Sequence, residues 1–332
     1  MHKYVKKLAE GHEFCHPVLE QDGWWQRPCA IHYHLDDVPK RCCVKDETQL
    51  NPVIIIGKNG TLGKAYKRLC ELRAIYHVAL GREDVDISRA VDIERMILQH
   101  KPWAIVNTAG YVRVDDAEND RENCFNVNSI APKLLAEACQ KFGIQFITYS
   151  SDLVFDGKKK IPYLESDLVS PLNVYGQSKV MAEEYVIKAN PEALIIRTSA
   201  FFGPWDQYNF VHNALRSFKN NEEFAAVNDV TISPTYVPDL VNTSLDLLLD
   251  EANGIWNISN KGSVSWSVLA NEVAERSGYN HPKNFKEMSL SEMGFAAARP
   301  QYSVLTTEKG FELPSLDDAL ERFFREQVLV KL

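Results

Sequence analysis

A hydroxyl, a phenol and an ammonium fall within one stretch of the 332-residue chain, SSDLVFDGKKKIPYLESDLVSPLNVYGQSKVMAEE from Ser150 to Glu184. Ser151 follows the apolar run FITY, and Tyr175 precedes Lys179 by four residues. On a helix that spacing puts phenol and ammonium on one face, about one turn apart. A free phenol has a pKa near ~10, too high to trade protons at neutral pH, and a cation within ~4–6 Å favours the phenolate and lowers that value. Lys179 is therefore expected to make Tyr175 usable as an acid, with Ser151 hydrogen-bonding the oxygen that receives the proton. Taken alone, the pair is usually no more than two neighbours on a solvated helix face. The chemistry needs a nicotinamide site earlier in the chain.

The elements that would position such a site begin at Pro52. PVIIIG is a short β-branched run ending in glycine, and KNGTLGKAYKRLCELR repeats Leu62, Ala65, Tyr66, Leu69 and Leu72 at helical spacing. The turn between them carries Gly57, Gly60 and Gly63 as GxxGxxG. Glycine there permits positive φ, lets backbone N–H groups approach a pyrophosphate and opens the positive end of a helix dipole to it. The cofactor candidates in this turn are Gly57, Asn59, Gly60, Thr61, Leu62 and Gly63, and Gly60 is expected to tolerate no side chain.

The next strand, AIYHVALG, ends at Arg82 and Glu83, near the ~20-residue offset at which a dinucleotide fold meets the adenosine ribose. Arg82 would welcome a 2′-phosphate and points to NADPH; Glu83 on the 2′-hydroxyl would leave NADH open. Asp86 and Ile87 open the following helix, with an apolar side chain placed to cover the adenine. WAIVNTAGYV gives a third strand ending in Thr108, Ala109, Gly110 and Tyr111, whose small residues leave room for a ligand. Asp115 and Glu118 read as caps for the following helix. NCFNVNSIAPKLLAEACQKFG reads as one long amphipathic helix holding Asn128, and GIQFITYSS as a fourth strand. Four such units imply an α/β Rossmann-type, doubly wound parallel sheet.

Composition sets the class. The chain is 45% hydrophobic and 25% charged with net charge −8, an ordinary globular protein whose partner is neither nucleic acid nor an anionic membrane surface. Its start lacks the apolar centre of a signal peptide and no run approaches the ~20 residues of a span, so the cytoplasm is expected. Residues 1–50 show no sustained periodicity and read as an N-terminal extension whose order the sequence leaves open. Cys15, Cys29, Cys42 and Cys43 lie there beside His12, His16, His32 and His34, without CxxC spacing, so no metal is expected. Cys70, Cys124 and Cys139 fall inside apolar helical patterns as small hydrophobes.

Together the glycine turn, NTAGY, YSSDLVFDG, Tyr175 with Lys179, and RTSAFFGP from Arg197 resemble an extended short-chain dehydrogenase/reductase. Within that group the chain is most similar to the dTDP-4-dehydrorhamnose reductases. NTAGYVRVDDAE resembles their NxAAYTxVDxAE, SSDLVFDG their STDYVFDG, YGQSKVMAE their YGxSKxxGE, ISPTYVPDL their xPTxxxDLA and RPQYSVL their RPxxSxL. The resemblance implies hydride transfer from NADPH, or NADH, to the C4 ketone of dTDP-4-dehydro-rhamnose. It assigns Tyr175 as proton donor, Ser151 to the place of a catalytic Thr, and Lys179 to lowering the Tyr175 pKa and holding the nicotinamide ribose. Asp152 matches a residue near the substrate, and Asn209 an asparagine near the sugar. Leu153 and Ala200 depart from the pattern on the substrate side. Other readings within reach are a reductase or epimerase of another nucleotide sugar, or a regulatory subunit like the β subunit of methionine adenosyltransferase.

The chain therefore divides into residues 51–200, an NAD(P)-binding domain, and residues 201–332, mainly a substrate-binding part that returns to the core. Val114, Asp152, Trp205 as a lid, Asn209 and Arg299 are the substrate candidates, with Arg299 suited to a diphosphate and a surface ion pair as its alternative. Val237 should start a helix and Ser265 cap another. The final helix, LDDALERFFREQVL, is amphipathic and packs on the domain or on a subunit partner, which leaves a homodimer open.

Overall fold

The computed structural model describes residues 51–205, 207–279 and 284–329, with side chains to residue 326. The reading of residues 1–50, with their cysteines and histidines, lies outside the described residues. PVIIIG forms β1 (Val53–Ile56), buried on both faces as a continuous β-branched run requires. The alternation continues through α1 (Thr61–Leu72), β2 (His77–Leu80), α2 (Ala90–His100), β3 (Ala104–Asn107), α3 (Arg121–Phe125), α4 (Ala131–Phe142), β4 (Gln145–Tyr149), α5 (Val174–Ala189) and β5 (Leu194–Arg197). After β5 come β6 (Phe201–Phe202), α6 (Phe210–Asn220), β7 (Phe224–Val227), β8 (Thr231–Ile232), β9 (Thr235–Tyr236), α7 (Val237–Leu249) and β10 (Gly254–Asn257). The chain ends with β11 (Asn260–Lys261), β12 (Val264–Ser265), α8 (Trp266–Arg276), β13 (Phe285–Met288), β14 (Leu313–Ser315) and α9 (Leu316–Leu329).

Six strands form one sheet in the order β10-β5-β4-β3-β1-β2, parallel throughout. The expected doubly wound sheet is present. Leu62, Tyr66 and Leu69 of α1 and Leu240, Val241 and Leu245 of α7 cover one face; Ile93, Met96, Leu135, Cys139 and Val186 cover the other. The chain runs from β1 outward to β2 and then crosses to β3 on the far side of β1. A crevice opens at the carboxyl ends of β1 and β3, where such a reversal places a ligand. The remaining short strands pair two by two beside this sheet. There α6, α8 and α9 enclose a third core around Phe202, Tyr236 and Phe323.

Several local readings change. The helix holding Asn128 is not continuous: α3 passes into a π-helical turn, Asn126–Ile130, before α4. The wider turn carries two polar side chains inward, where Asn128 Nδ2 and Ser129 Oγ donate to Ser178 of α5 at 3.0 and 2.6 Å. The helix expected from Asp86 starts at Ala90, because the Asp86 carboxylate accepts from Ser88 N and Oγ and closes a turn instead. Val237 does start α7, Ser265 Oγ caps α8 by accepting from Val268 N, and Cys70, Cys124 and Cys139 are buried free thiols. The final helix packs on its own chain through Leu316, Ala319, Leu320 and Phe323. Among the described residues no helix is long and apolar enough to cross a membrane.

The two elements nearest the chemistry are locked by charge. Arg197 at the end of β5 donates from Nε and Nη2 to the two oxygens of Glu183 on α5, at 2.8 and 2.6 Å, and the side chains are only 3% and 6% exposed. Glu183→Leu leaves the buried guanidinium uncompensated and is expected to lower the unfolding free energy by about 3–5 kcal/mol in urea titration. A loss no larger than that of an exposed pair, below about 1 kcal/mol, would contradict this placement.

Candidate active site

The turn after β1 is built by glycine for two distinct reasons. Gly57 has φ +94°, and a Cβ there would lie 2.8 Å from Thr108 Oγ1 and 2.9 Å from Ala109 N, so β1 and β3 can end side by side only without one. Gly63, inside α1, would bring a Cβ to 2.1 Å from the Gly57 carbonyl oxygen. Gly60 differs from expectation: a Cβ there meets only the Gly57 oxygen, at 3.5 Å, an ordinary contact. Its restriction can therefore come only from a ligand at the helix N-terminus, where Gly60 is the cap residue with no side chain over the first N–H groups. Thr108 Oγ1 donates to the Ile56 carbonyl at 2.6 Å, tying the two strand ends together.

Around this crevice the other cofactor candidates take defined places. Asn128 Oδ1 accepts from Tyr111 N at 2.8 Å while its Nδ2 donates to Tyr111 O at 3.0 Å, which fixes the loop after β3. A Cβ on Gly110 would stand 3.3 Å from Asn128 Oδ1, a tight contact, and 3.7 Å from Lys179 Nζ, so Gly110 packs close beside both groups. Arg82 is exposed past β2, whereas Glu83 is drawn to Lys58 Nζ at 2.8 Å. Ser150, at the end of β4, keeps a buried Oγ with no hydrogen-bond partner. An open helix N-terminus, a Cβ-free cradle and an unsatisfied buried hydroxyl at one sheet edge fit a dinucleotide.

Ser151, Tyr175 and Lys179 meet at the carboxyl ends of β4 and β5. Asn173 starts α5 by accepting from Gly176 N at 2.7 Å, and Gly176 brings the helix onto the Ser151 loop: a Cβ there would lie 2.3 Å from Leu153 O. Lys179 Nζ is 5.7 Å from the Tyr175 ring centre and donates to the Tyr149 carbonyl at 3.0 Å. The expected lowering of the Tyr175 pKa is not what the site shows. Burial pushes Tyr175 above the ordinary phenol value, the Asp152 charge adds to this, and the Ser151 hydroxyl offsets part of it. Burial also brings Lys179 down to about 8, opposed by Cys124 and Glu183. Desolvation dominates, and the Tyr175 phenol is held protonated.

Beyond these residues lies a cavity of about 450 Å³ bordered by Ser151, Asp152, Tyr175, Val114 and Arg299, with a largely apolar far wall that includes Phe210, Phe224, Trp266 and Met293. Val114 and Asp152, both substrate candidates, lie on its wall. Arg299 also borders the cavity, but its fork holds Asp115 at 3.0 and 2.5 Å and stacks 3.9 Å from the Phe295 ring centre. Asp115 stands at the N-cap of the 3-10 turn Asp116–Glu118 but makes no capping bond with its side chain, which is turned to Arg299 instead. Glu118 caps a different helix from the one expected, accepting from Val174 N of α5 at 2.9 Å. Trp205 is moved off the cavity: it packs on the core under α1, with Arg68 4.9 Å from its ring centre, because apolar area is available there. Asn209 is withdrawn too, its Oδ1 accepting from His212 N to start α6. Its neighbours Phe210 and Asn213 reach the cavity instead.

Sequence reasoning missed Ser199, Ser303, Asn213 and Trp266 as cavity residues. Ser303 carried a signal, since it is the serine of RPQYSVL. Ala200 is held at φ +43° on the cavity wall, a conformation an L residue keeps only when its surroundings impose it.

Residues 51–327 match the RmlD substrate binding domain family. The chain belongs to that family. A dTDP-4-dehydrorhamnose reductase of Sinorhizobium fredii is 33% identical over 282 residues, covering 81% of this chain and 95% of the relative. The spore coat polysaccharide biosynthesis protein SpsK of Bacillus subtilis is 29% identical, covering 84% and 98%. A solved structure of dTDP-4-dehydrorhamnose reductase from Bacillus anthracis in complex with NADP superposes with a TM-score of 0.79 at 33% identity, covering 83% of this chain and 99% of that one. The family match therefore spans both the glycine turn and the cavity.

The glycines separate fold from ligand. Gly63→Ala is expected to lower the melting temperature by several degrees, about 1–3 kcal/mol for an overpacked contact. Gly60→Ala should leave melting unchanged while weakening NADPH binding at least about tenfold, or about 1.4 kcal/mol, read by cofactor fluorescence. Equal melting losses, or unchanged binding in Gly60→Ala, would contradict this.

Proposed function

We propose that the protein reduces the C4 ketone of a 4-dehydro-6-deoxy nucleotide sugar, dTDP-4-dehydro-rhamnose to dTDP-rhamnose, with NADPH as the reductant and NADH as its substitute. It is an NAD(P)-dependent oxidoreductase. The observation that carries the reading is the placement of Tyr175 with Ser151 on the wall of a substrate-sized cavity, with Lys179 one turn further along α5. Residues 51–200 would bind the dinucleotide and residues 201–332 mainly the sugar nucleotide. The preference for NADPH rests on Arg82 exposed near the adenosine end and on Glu83 engaged by Lys58.

Bound in the crevice, the nicotinamide cofactor supplies the hydride. Ketone reduction needs in addition one proton on oxygen. Tyr175 holds that proton through the neutral range, and the alkoxide formed on the substrate is a strong enough base to take it. Lys179, anchored to Tyr149 O, offers its ammonium to the ribose hydroxyls and to the phenolate left behind. Asn128 and Gly110 shape the floor beside it. In the cavity, apolar walls exclude water, and Arg299 would face the diphosphate. Hydrogen bonds to Asp115 and to Ala297 O use three of its five N–H donors, so Asp115 orients the fork without exhausting it. The net charge of −8 supports a small-molecule partner in the cytoplasm over a polyanion.

NADPH consumption with 4-keto-6-deoxy nucleotide sugars is expected for the wild type and to fall by about 10²–10⁴ in Tyr175→Phe. Equal rates would sink the mechanism. The pH dependence has a definite sign. Lys179 carries its charge below about 8 and loses it above, so kcat/KM for NADPH should fall as pH rises through that value. A profile level to the pH where an ordinary lysine titrates would contradict a working ammonium.

A further inference from the structure

Asp152 is a buried carboxylate encircled by serine hydroxyls from three separate parts of the chain. Ser303 Oγ donates to Oδ2 at 2.6 Å, Ser199 Oγ to the same oxygen at 2.8 Å, and Ser151 Oγ to Oδ1 at 3.0 Å. Ser199 follows β5, Ser303 lies in the late RPQYSVL segment, and all three serines are buried. Ser151 Oγ also accepts from Leu153 N at 3.1 Å, so its single proton and one lone pair are assigned before any substrate arrives. The Leu153 bond caps the short 3-10 turn Asp152–Val154, whereas the three bonds to the carboxylate converge from separate segments, and three convergent donors suit an anion.

We propose that Ser199 and Ser303 are positioning residues for the ketone reduction, clamping one oxygen of Asp152 so that it persists as a carboxylate whose other oxygen aims the Ser151 hydroxyl. The inference rests on the reading of Tyr175 as the acid. Its physical content is a balance. Burial pushes Asp152 above the ordinary carboxylate range, and the hydroxyls of Ser303, Ser199 and Ser151 pull it back. The charge so kept acts on Tyr175 and holds the phenol proton in place. The other charged and titratable groups about this carboxylate are Tyr175 itself, Lys179 one turn further along α5, and the Arg299–Asp115 pair that borders the same cavity. The late segment thereby reports to the catalytic loop through one oxygen atom.

The test titrates the carboxylate directly. In protein labelled with ¹³C-aspartate, the Asp152 signal is assigned by its loss in Asp152→Asn, and its midpoint is compared in the wild type and in Ser199→Ala/Ser303→Ala. Removing two donors should raise the midpoint by about one pH unit or more, and move the acid limb of kcat by the same amount. The ratio of variant to wild-type kcat should be lowest between the two midpoints and rise again at a pH above both, where the clamped and unclamped carboxylates are both charged. An unmoved midpoint in a double variant that still binds NADPH would overturn the clamp. A moved midpoint with a uniform loss of kcat at every pH would overturn the positioning role. A moved midpoint in a protein that reduces no nucleotide sugar would instead remove the reductase reading. Should the double variant not fold, Ser303→Ala alone gives the same comparison with a smaller expected shift.

Discussion

The buried Arg197–Glu183 pair sets the rotation of the helix that carries the chemistry. Glu183 lies four residues beyond Lys179, which lies four beyond Tyr175, so the three share one stripe of α5. Fixing the far end of that stripe to the end of β5 turns the near end toward the strand termini. A bidentate contact does this better than apolar packing, which tolerates rotation. The helix has few alternatives, because Gly176 already sits against Leu153 O and Ser178 is held by Asn128 and Ser129 of the π turn. Lys179 then has the Tyr149 carbonyl as its neighbour and the phenol beside it.

Burial has consequences for which groups carry charge. Lys179 loses part of its hold on a proton and Tyr175 strengthens its own, the reverse of what a lysine beside a solvated phenol would do. Such a phenol stays protonated through the neutral range and gives up its proton only to a strong base such as an alkoxide. The cavity side adds to this. Asp152, hydrogen-bonded by serines from two distant segments, lies beside Tyr175, while Asp115 pairs directly with the Arg299 guanidinium that borders the cavity.

Much of the cofactor half was legible in the sequence because its signals are local. β-branched runs bounded by glycine, and helices with period 3.6, need no distant partner to be read. The strand–turn–helix around Gly57 and Gly63, the parallel sheet, the start of α7 and the cap at Ser265 are of this kind. What escaped depends on contacts far along the chain. Asp115 looked like a cap because its partner lies 184 residues away. Asn209 looked like a ligand group because a capping asparagine and a substrate-binding one have the same composition. Trp205 has a tryptophan's affinity for any apolar surface, and only the packing of α1 decides which one it meets. Ser199 and Ser303 gave no periodic signal at all. The π turn at Asn128 is one extra residue in a helix, which an amphipathic pattern absorbs without trace.

The central claim is that the crevice and the cavity meet at a single reacting centre, with a cofactor hydride delivered to a sugar carbon and the Tyr175 proton to its oxygen. Isotope transfer tests this most directly. The protein is incubated with dTDP-4-dehydro-rhamnose and NADPH deuterated at either face of nicotinamide C4, and the product is analysed by mass spectrometry and NMR. The account expects one of the two cofactors, and not the other, to give dTDP-rhamnose carrying a single deuteron at sugar C4. Product without deuterium from either cofactor, or label at another carbon, would contradict it.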